Sequence, residues 1–189
     1  MDKKRGTLFV ISGPSGVGKG TVCRHLDLDA LNMKFSVSMT TRKPREGEVE
    51  GVNYFFVTPD EFQKTIAADG FIEYASFSDH FYGTPAAAME KWLRDGTNVL
   101  LEIETKGALQ VMKKCPDACS IFILPPSREE LENRLRGRGT DDEDSIRKRL
   151  ARSIDEMELK DRYKYNVVNA DIDRTTEEIS EIIRKEGSL

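Results

Sequence analysis

The stretch Gly13-Pro14-Ser15-Gly16-Val17-Gly18-Lys19-Gly20-Thr21 limits the possible folds of this chain more than any other. Its glycines let successive backbone N–H groups turn toward one centre, and the N-terminus of a following helix adds partial positive charge, so a loop of this kind cradles phosphate. Lys19 is placed to reach the β- and γ-phosphates of a nucleoside triphosphate. The flanks agree. Leu8 to Ile11 is a continuous apolar run of the sort buried on both faces of a parallel sheet. Beyond the loop, Val22, Cys23 and Leu26 fall on one helical face. One position departs from the general pattern: Gly20 stands where Ser or Thr usually follows the lysine, and the hydroxyl comes one residue later, at Thr21. That weakens the expectation of a direct hydroxyl–magnesium bond and leaves phosphate binding intact.

Strands and helices alternate along the rest of the chain, the pattern of an α/β fold with a mainly parallel sheet flanked by helices. Val99 to Glu104, Ser120 to Leu124 and Tyr165 to Asn169 read as further buried strands. Thr58-Pro59-Asp60-Glu61 and Ser127-Arg128-Glu129-Glu130 each place an acid three residues after a capping hydroxyl, which predicts helix starts. Thr84-Pro85 opens another helix, ended by Gly96, and the last helix follows Thr175 and buries Ile179, Ile182 and Ile183. Residues 35–83 differ. Phe35 to Thr40 alternates with period two, predicting a half-exposed strand, and short strand-like runs recur at Tyr54–Val57 and Phe71–Phe77. This is the pattern of a small mixed-β insertion. Residues 127–160 read as two charged helices joined by Gly137-Arg138-Gly139-Thr140, a hairpin suited to act as a lid.

A length of 189 residues predicts one compact unit with subdomains. No apolar stretch approaches the roughly 20 residues of a membrane helix, so no membrane partner is expected. The N-terminal run is too short for a secretory signal, which makes the expected compartment cytoplasmic. The three cysteines form no CxxC pair and the two histidines no metal-ligand spacing, so reduced thiols are expected. A formal charge of −4 argues against a nucleic-acid binder. Nothing in the sequence selects between a monomer and a homo-oligomer.

The global charge hides positive clusters. Arg42-Lys43-Pro44-Arg45 follows a run of hydroxyls at Ser38, Thr40 and Thr41, and its two arginines are able to grip a phosphate with forked hydrogen bonds. Alone, such a loop also reads as a solvated basic surface. The residues around it reverse that reading. The stretches SVSMTTRKPREGEVEGVNYFFV, FIEYASF, HFYGTP, VLLEIE and ENRLRGRGTDDEDSIRKRL, together with the glycine loop, make the chain resemble a guanylate kinase nearly from end to end.

The resemblance implies a P-loop core (1–34, 84–126 and 161–189), a GMP-binding subdomain (35–83) and a mobile lid (127–160). It implies the magnesium-dependent reaction ATP + GMP → ADP + GDP, with dGMP as a second acceptor. Position by position, it implies that residues 13–21, Arg134, Arg138 and Asn169 bind ATP. By the same resemblance, Ser38, Arg42, Arg45, Tyr54 and Tyr82 match residues that hold the GMP phosphate, Glu73, Thr84 and Glu104 match those that read the guanine ring, and Gly83 and Glu102 complete the GMP site. Lys19, Arg45, Arg138 and Arg149 are the catalytic set, and Glu102 contacts Mg2+ through water. Family members commonly carry aspartate at both 102 and 104 and often glutamine at 106, where this chain has Glu102, Glu104 and Lys106.

The base-reading argument also stands on chemistry. Guanine presents N1–H and N2–H, both of which one carboxylate accepts; adenine presents neither. A site built on a buried acid leaves that acid unpaired when the wrong base enters. Glu73 shares a strand face with Phe71 and Ala75, an odd place for an unpartnered carboxylate, although an edge-strand surface acid remains the alternative. For the lid, Asp141, Asp142, Glu143 and Asp144 offer the arginines an ordinary surface ion-pair network instead of a catalytic role. Two other readings stand beside the kinase: a catalytically inactive guanylate-kinase-like module that binds phosphopeptides, and a kinase for another nucleoside monophosphate.

Overall fold

The structure is a computed structural model and describes residues 4–77, 79–137 and 142–187. In chain order, β1 (Leu8–Ser12) leads into α1 (Lys19–His25), followed by β2 (Met33–Phe35), β3 (Met39–Thr40) and β4 (Phe55–Phe56). Then come α2 (Pro59–Ala67), β5 (Phe71–Phe77), β6 (His80–Pro85), α3 (Ala86–Arg94), β7 (Asn98–Glu102) and α4 (Thr105–Lys114). The last elements are β8 (Cys119–Leu124), α5 (Arg128–Arg136), α6 (Glu143–Met157), β9 (Tyr165–Val168) and α7 (Ile172–Glu186).

Five strands form one parallel sheet of order β2-β7-β1-β8-β9, with β1 buried along its whole length at the centre. Parallel neighbours need crossovers, and the helices that supply them cover both faces. Alternation along β1 divides the core in two. Phe9 and Ile11 join Val22, Leu100, Ile121 and Ile179 on one face, while Val10 joins Leu101, Ala108, Val111 and Phe122 on the other. A second, four-stranded sheet, order β4-β3-β6-β5, is mixed: β3 runs parallel to β4 and antiparallel to β6. The α/β architecture read from the sequence is therefore present, with the small mixed sheet as its insertion.

Several boundaries differ from the sequence reading. The run Phe35 to Thr40 is not one strand: Phe35 ends β2 in the parallel sheet, and only Met39 and Thr40 pair in the second sheet. The Ser36 N–H donates to the Leu100 carbonyl (2.9 Å), so the chain leaves one sheet before entering the other. The strand expected to reach Glu104 stops at Glu102, because Glu104 is the N-cap of α4. The last helix starts at Ile172 rather than after Thr175; Asp171 caps it by accepting the Arg174 N–H, and Thr175 lies buried inside it. The capping box at Thr58 and Glu61 is complete. At Ser127 only half forms, since the Glu130 carboxylate turns to Arg134 instead (2.8 Å).

Candidate active site

The carboxyl ends of β1, β7, β8 and β9 all open on one edge of the parallel sheet, where ligands of open α/β folds bind. The loop after β1 takes a shape only its glycines permit, with φ of 87° at Gly16 and 97° at Gly18. Neighbours also press on it. A β-carbon on Gly18 would lie 2.7 Å from Asn169 Nδ2, and one on Gly16 would lie 2.7 Å from a Leu135 methyl. Asn169 Nδ2 donates to the Val17 carbonyl (2.8 Å) from the end of β9. Arg134 donates to the same carbonyl (3.2 Å) and to the Asn169 carbonyl (2.9 Å). Asn169 and Arg134, both expected on the ATP side, are thus brought together on the loop.

Lys19 Nζ donates to the carbonyls of Gly13 (2.7 Å) and Pro14 (3.2 Å), curling over the loop it belongs to. Burial lowers its pKa, and the charges of Glu102, Glu104 and Glu156 oppose that shift. Glu102 closes β7 with its pKa raised by burial against the pull of Lys19 and Arg24. The Gly20 departure now has a structural correlate. A β-carbon at position 20 would lie 3.4 Å from Glu102 Oε1, so the carboxylate stands beside the space a side chain there would enter.

On the second sheet a short relay forms. The Thr84 hydroxyl donates to Glu73 Oε1 at 2.6 Å, and Ser38 Oγ lies 3.5 Å from Thr84 Oγ1. Glu73 is 5% exposed, which rules out the surface-acid alternative, and burial raises its pKa against the Thr84 hydrogen bonds. The neighbouring Gly83 is also buried, and a β-carbon there would lie 2.9 Å from the Phe71 ring and 3.0 Å from the Phe62 ring. Arg42 lies over the Tyr54 ring (5.5 Å), and Tyr54 meets Tyr82 edge-on (5.9 Å). Both terminal nitrogens of Arg42 pair with Glu48, at 2.9 and 2.8 Å. That hydrogen bonding holds the guanidinium's pKa above its ordinary value, with Tyr82 adding to it. Glu48 also accepts the Arg45 N–H (2.7 Å), while the Arg45 side chain is exposed. The sequence reading assigned Glu48 nothing; its spacing within Arg-Lys-Pro-Arg-Glu-Gly-Glu was the available signal.

Helices α5 and α6 bear on the glycine loop. Leu131, Leu135 and Leu150 give them a small core of their own. Arg149 donates to Ser15 Oγ (3.0 Å), Ser153 Oγ to the Ser15 carbonyl (3.3 Å), and the Ser15 N–H points to Glu156 Oε2 (3.3 Å). Glu156 and Arg152 were unassigned from sequence. Arg136 and Arg147 keep the surface reading, paired with Glu132 and Glu143 and with Asp144 respectively. Asp142 caps α6 through the Ser145 N–H. Arg138 and Asp141 lie outside the described residues.

Glu102 joins the two halves of the site. The Tyr54 phenol is raised first by burial, then by Tyr82 and by the charge of Glu102, while Lys19 pulls on that same carboxylate from the glycine loop. The glycine loop and the Arg42–Tyr54–Tyr82 cluster therefore both lie within electrostatic reach of one carboxylate. The family model for guanylate kinase matches residues 5–186. The chain belongs to the guanylate kinase family. A guanylate kinase of Caldanaerobacter subterraneus subsp. tengcongensis is 50% identical over 181 residues, spanning 96% of this chain and 88% of the relative. One from Clostridioides difficile is 49% identical over 186 residues, 98% and 91% of the two chains. The crystal structure of guanylate kinase from Anaplasma phagocytophilum superimposes with a TM-score of 0.82 at 36% identity, covering all of this chain and 90% of that one.

Among the described residues no helix is long and apolar enough to cross a membrane, and no cluster of three or more His, Cys, Asp or Glu is arranged to hold a metal ion by itself.

Proposed function

We propose that this chain transfers the γ-phosphoryl group of ATP to GMP, and to dGMP, and that the site residues act as follows. Residues 13–21, Arg134 and Asn169 hold ATP, with Lys19 turning from its loop carbonyls to the β- and γ-phosphates. Ser38, Arg42, Arg45, Tyr54 and Tyr82 hold the GMP phosphate. Glu73, positioned by Thr84, accepts the guanine N–H donors. The reaction joins two polyanions, so the protein's task is positioning and charge neutralisation, and a phosphate nucleophile needs no general base. Arg149, already on Ser15, and Arg138 supply positive charge to the transferring group when the lid closes and excludes water.

The divalent ion of such a reaction is Mg2+ in this reading. One half-buried carboxylate, Glu102, beside the glycine loop fits an ion that takes one or two carboxylates and otherwise keeps water and phosphate oxygens. Held there by Glu102 through water, such an ion would supply positive charge to the phosphates of ATP. Lys19 keeps its own ammonium on the same phosphates. The parallel sheet is the core, residues 35–83 the acceptor subdomain and residues 127–160 the lid. Three free cysteines, with the Cys119 thiol pushed up to about 12 by burial, fit a reducing cytoplasmic setting.

The observation that carries this reading is that Glu102, which stands beside Gly20 of the glycine loop, also bears by its charge on Tyr54 of the arginine–tyrosine cluster. It supports a single cleft for both phosphates, as a kinase needs and a phosphopeptide module does not. The test is ADP release from ATP and Mg2+ with GMP, dGMP, AMP, CMP and UMP at equal concentration. GMP and dGMP are expected to exceed the others by at least about a hundredfold, the discrimination available to a buried hydrogen-bonding group. AMP as best acceptor would overturn the specificity; no acceptor-dependent release would overturn the kinase.

A further inference from the structure

One guanidinium on the lid reaches both halves of the cleft. Arg152 NH2 lies 2.5 Å from Glu104 Oε2, and its Nε donates to Glu156 Oε1 at 2.9 Å. Glu104 caps α4 on the turn that leaves β7, close enough for its charge to raise the pKa of buried Glu73. Glu156 takes the Ser15 N–H of the glycine loop through its other oxygen and is also approached by the Thr105 hydroxyl (3.4 Å). A continuous path of charge-assisted hydrogen bonds therefore runs from the acceptor side to the donor loop through α6.

The two arms differ in strength. The Glu156 side chain is 9% exposed and meets three donors, so its bond to Arg152 is desolvated and persistent. The Glu104 side chain is 48% exposed, and an ion pair in that setting is easily broken. Arg152 thus stays on the lid's own carboxylate and makes or breaks its hold on the acceptor side.

We propose that Arg152 is a positioning residue that couples the two substrate sites. By bridging Glu104 and Glu156 it makes lid closure over the glycine loop depend on an ordered acceptor side, so that GMP and ATP tighten each other's binding. Such coupling is reciprocal by thermodynamic linkage. The proposal rests on the ATP:GMP reading of the site. It also gives Glu104 a task other than reading guanine, which leaves the base to Glu73 and Thr84.

The test measures the dissociation constant of a non-hydrolysable ATP analogue with and without saturating GMP. The proteins are the full chain, Arg152→Gln, Glu104→Gln and the double variant. GMP is expected to tighten the analogue about fivefold or more in the unaltered protein, and less than about twofold in each variant. The double variant should lose no more than either single change, since both act through one contact. Arg152→Lys, which keeps the charge without the fork, should retain an intermediate coupling. Coupling that survives in Arg152→Gln, is absent from the unaltered protein, or falls multiplicatively in the double variant overturns the proposal. Amide exchange of residues 13–18 in the ligand-free protein reads the tie without substrates. Arg152→Gln should speed it about tenfold, whereas Arg147→Gln, on an exposed pair outside the path, should not. If GMP fails to bind the unaltered protein, the kinase reading falls, and the exchange result alone then decides the tie: unchanged exchange overturns it.

Discussion

Gly107 and Glu73 are in contact so close that no side chain fits at 107 unless Glu73 moves: a β-carbon there would lie 2.4 Å from Glu73 Oε2. Gly107 sits inside α4, where glycine is a poor helix former, so its value lies in the room it leaves for the carboxylate. Helix propensity alone predicts that Gly107→Ala stabilises the protein. The contact predicts otherwise. The clashing atom is the end of a side chain, so Glu73 will shift rather than the backbone. The expected result is a KM for GMP raised about tenfold or more, a KM for ATP within about twofold, and a stability change inside the 1–3 kcal/mol typical of overpacking. Steady-state kinetics beside a thermal melt checks this; a more stable variant with normal GMP kinetics would refute the contact's role.

Glu73 also sets a pH dependence. Burial raises its pKa above the ordinary 4.5. The protonated carboxyl therefore contributes stability to the ligand-free fold that is fully present below 4.5 and is lost as pH rises through the higher folded value. Guanine recognition runs the other way, since only the carboxylate accepts both N–H donors. GMP affinity is expected to weaken as pH falls toward the folded pKa, before 4.5 is reached. Glu73→Gln should bind GMP at least tenfold more weakly at neutral pH and lose this component of the profile, keeping only the titration of the nucleotide phosphate. Calorimetric titrations across pH 4.5–8 on both proteins, at roughly half-unit steps, separate the two contributions.

The local pattern of the chain made most of the fold readable. The apolar run at Leu8–Ile11, the glycine loop and the capping residues Thr58 and Ser127 each reflect nearest-neighbour chemistry, and each appears where the pattern put it. The errors share a cause. Phe35 to Thr40 alternates perfectly as a sequence, yet tertiary pairing takes its first residue into the parallel sheet and its last two into the other. Glu104 follows Glu102 at strand spacing, but the chain has already turned into α4. The residues assigned to direct ligand contact could be chosen from sequence because ligand chemistry dictates residue type. Glu48, Gly107, Arg152 and Glu156 could not, because each serves another side chain, and which one depends on how distant segments meet.

Glu48 is the clearest of these. It pairs with both terminal nitrogens of Arg42 and takes the Arg45 N–H, so one carboxylate sets the direction of the phosphate grip. Glu48→Gln keeps the shape and loses the charge that makes a forked pair strong. The KM for GMP is expected to rise about five- to twentyfold with turnover at saturating GMP within about threefold, because Glu48 does not touch the transferring group. The Arg42 hydrogen bond holds the Glu48 pKa below 4.5. Its contribution is thus complete above 4.5 and lost only as pH falls through the lowered folded value, so Glu48→Gln should show the same defect at pH 6 and pH 8, on the order of the fold-change above. A defect in KM for ATP instead would place Glu48 on the wrong substrate.

Lys19 separates catalysis from stability most sharply. Its ammonium is desolvated beside the glycine loop and held by two loop carbonyls, and burial lowers its pKa. A buried charge with that shift is costly to the ligand-free fold even with three carboxylates nearby. Lys19→Ala removes this cost together with the only side chain of the glycine loop that carries positive charge to the phosphates. Turnover is expected to fall well over tenfold, toward the hundred- to thousandfold seen on removing a preorganised donor from a transition state. The melting temperature of the ligand-free protein should stay level or rise. ATP should lose most of its ability to raise that temperature further, since ligand stabilisation follows the affinity of the native state. Paired melts with and without ATP, beside an ADP-release assay, test both halves. A variant that loses activity by unfolding would assign Lys19 to structure, and one with near-normal turnover would remove it from the chemistry altogether.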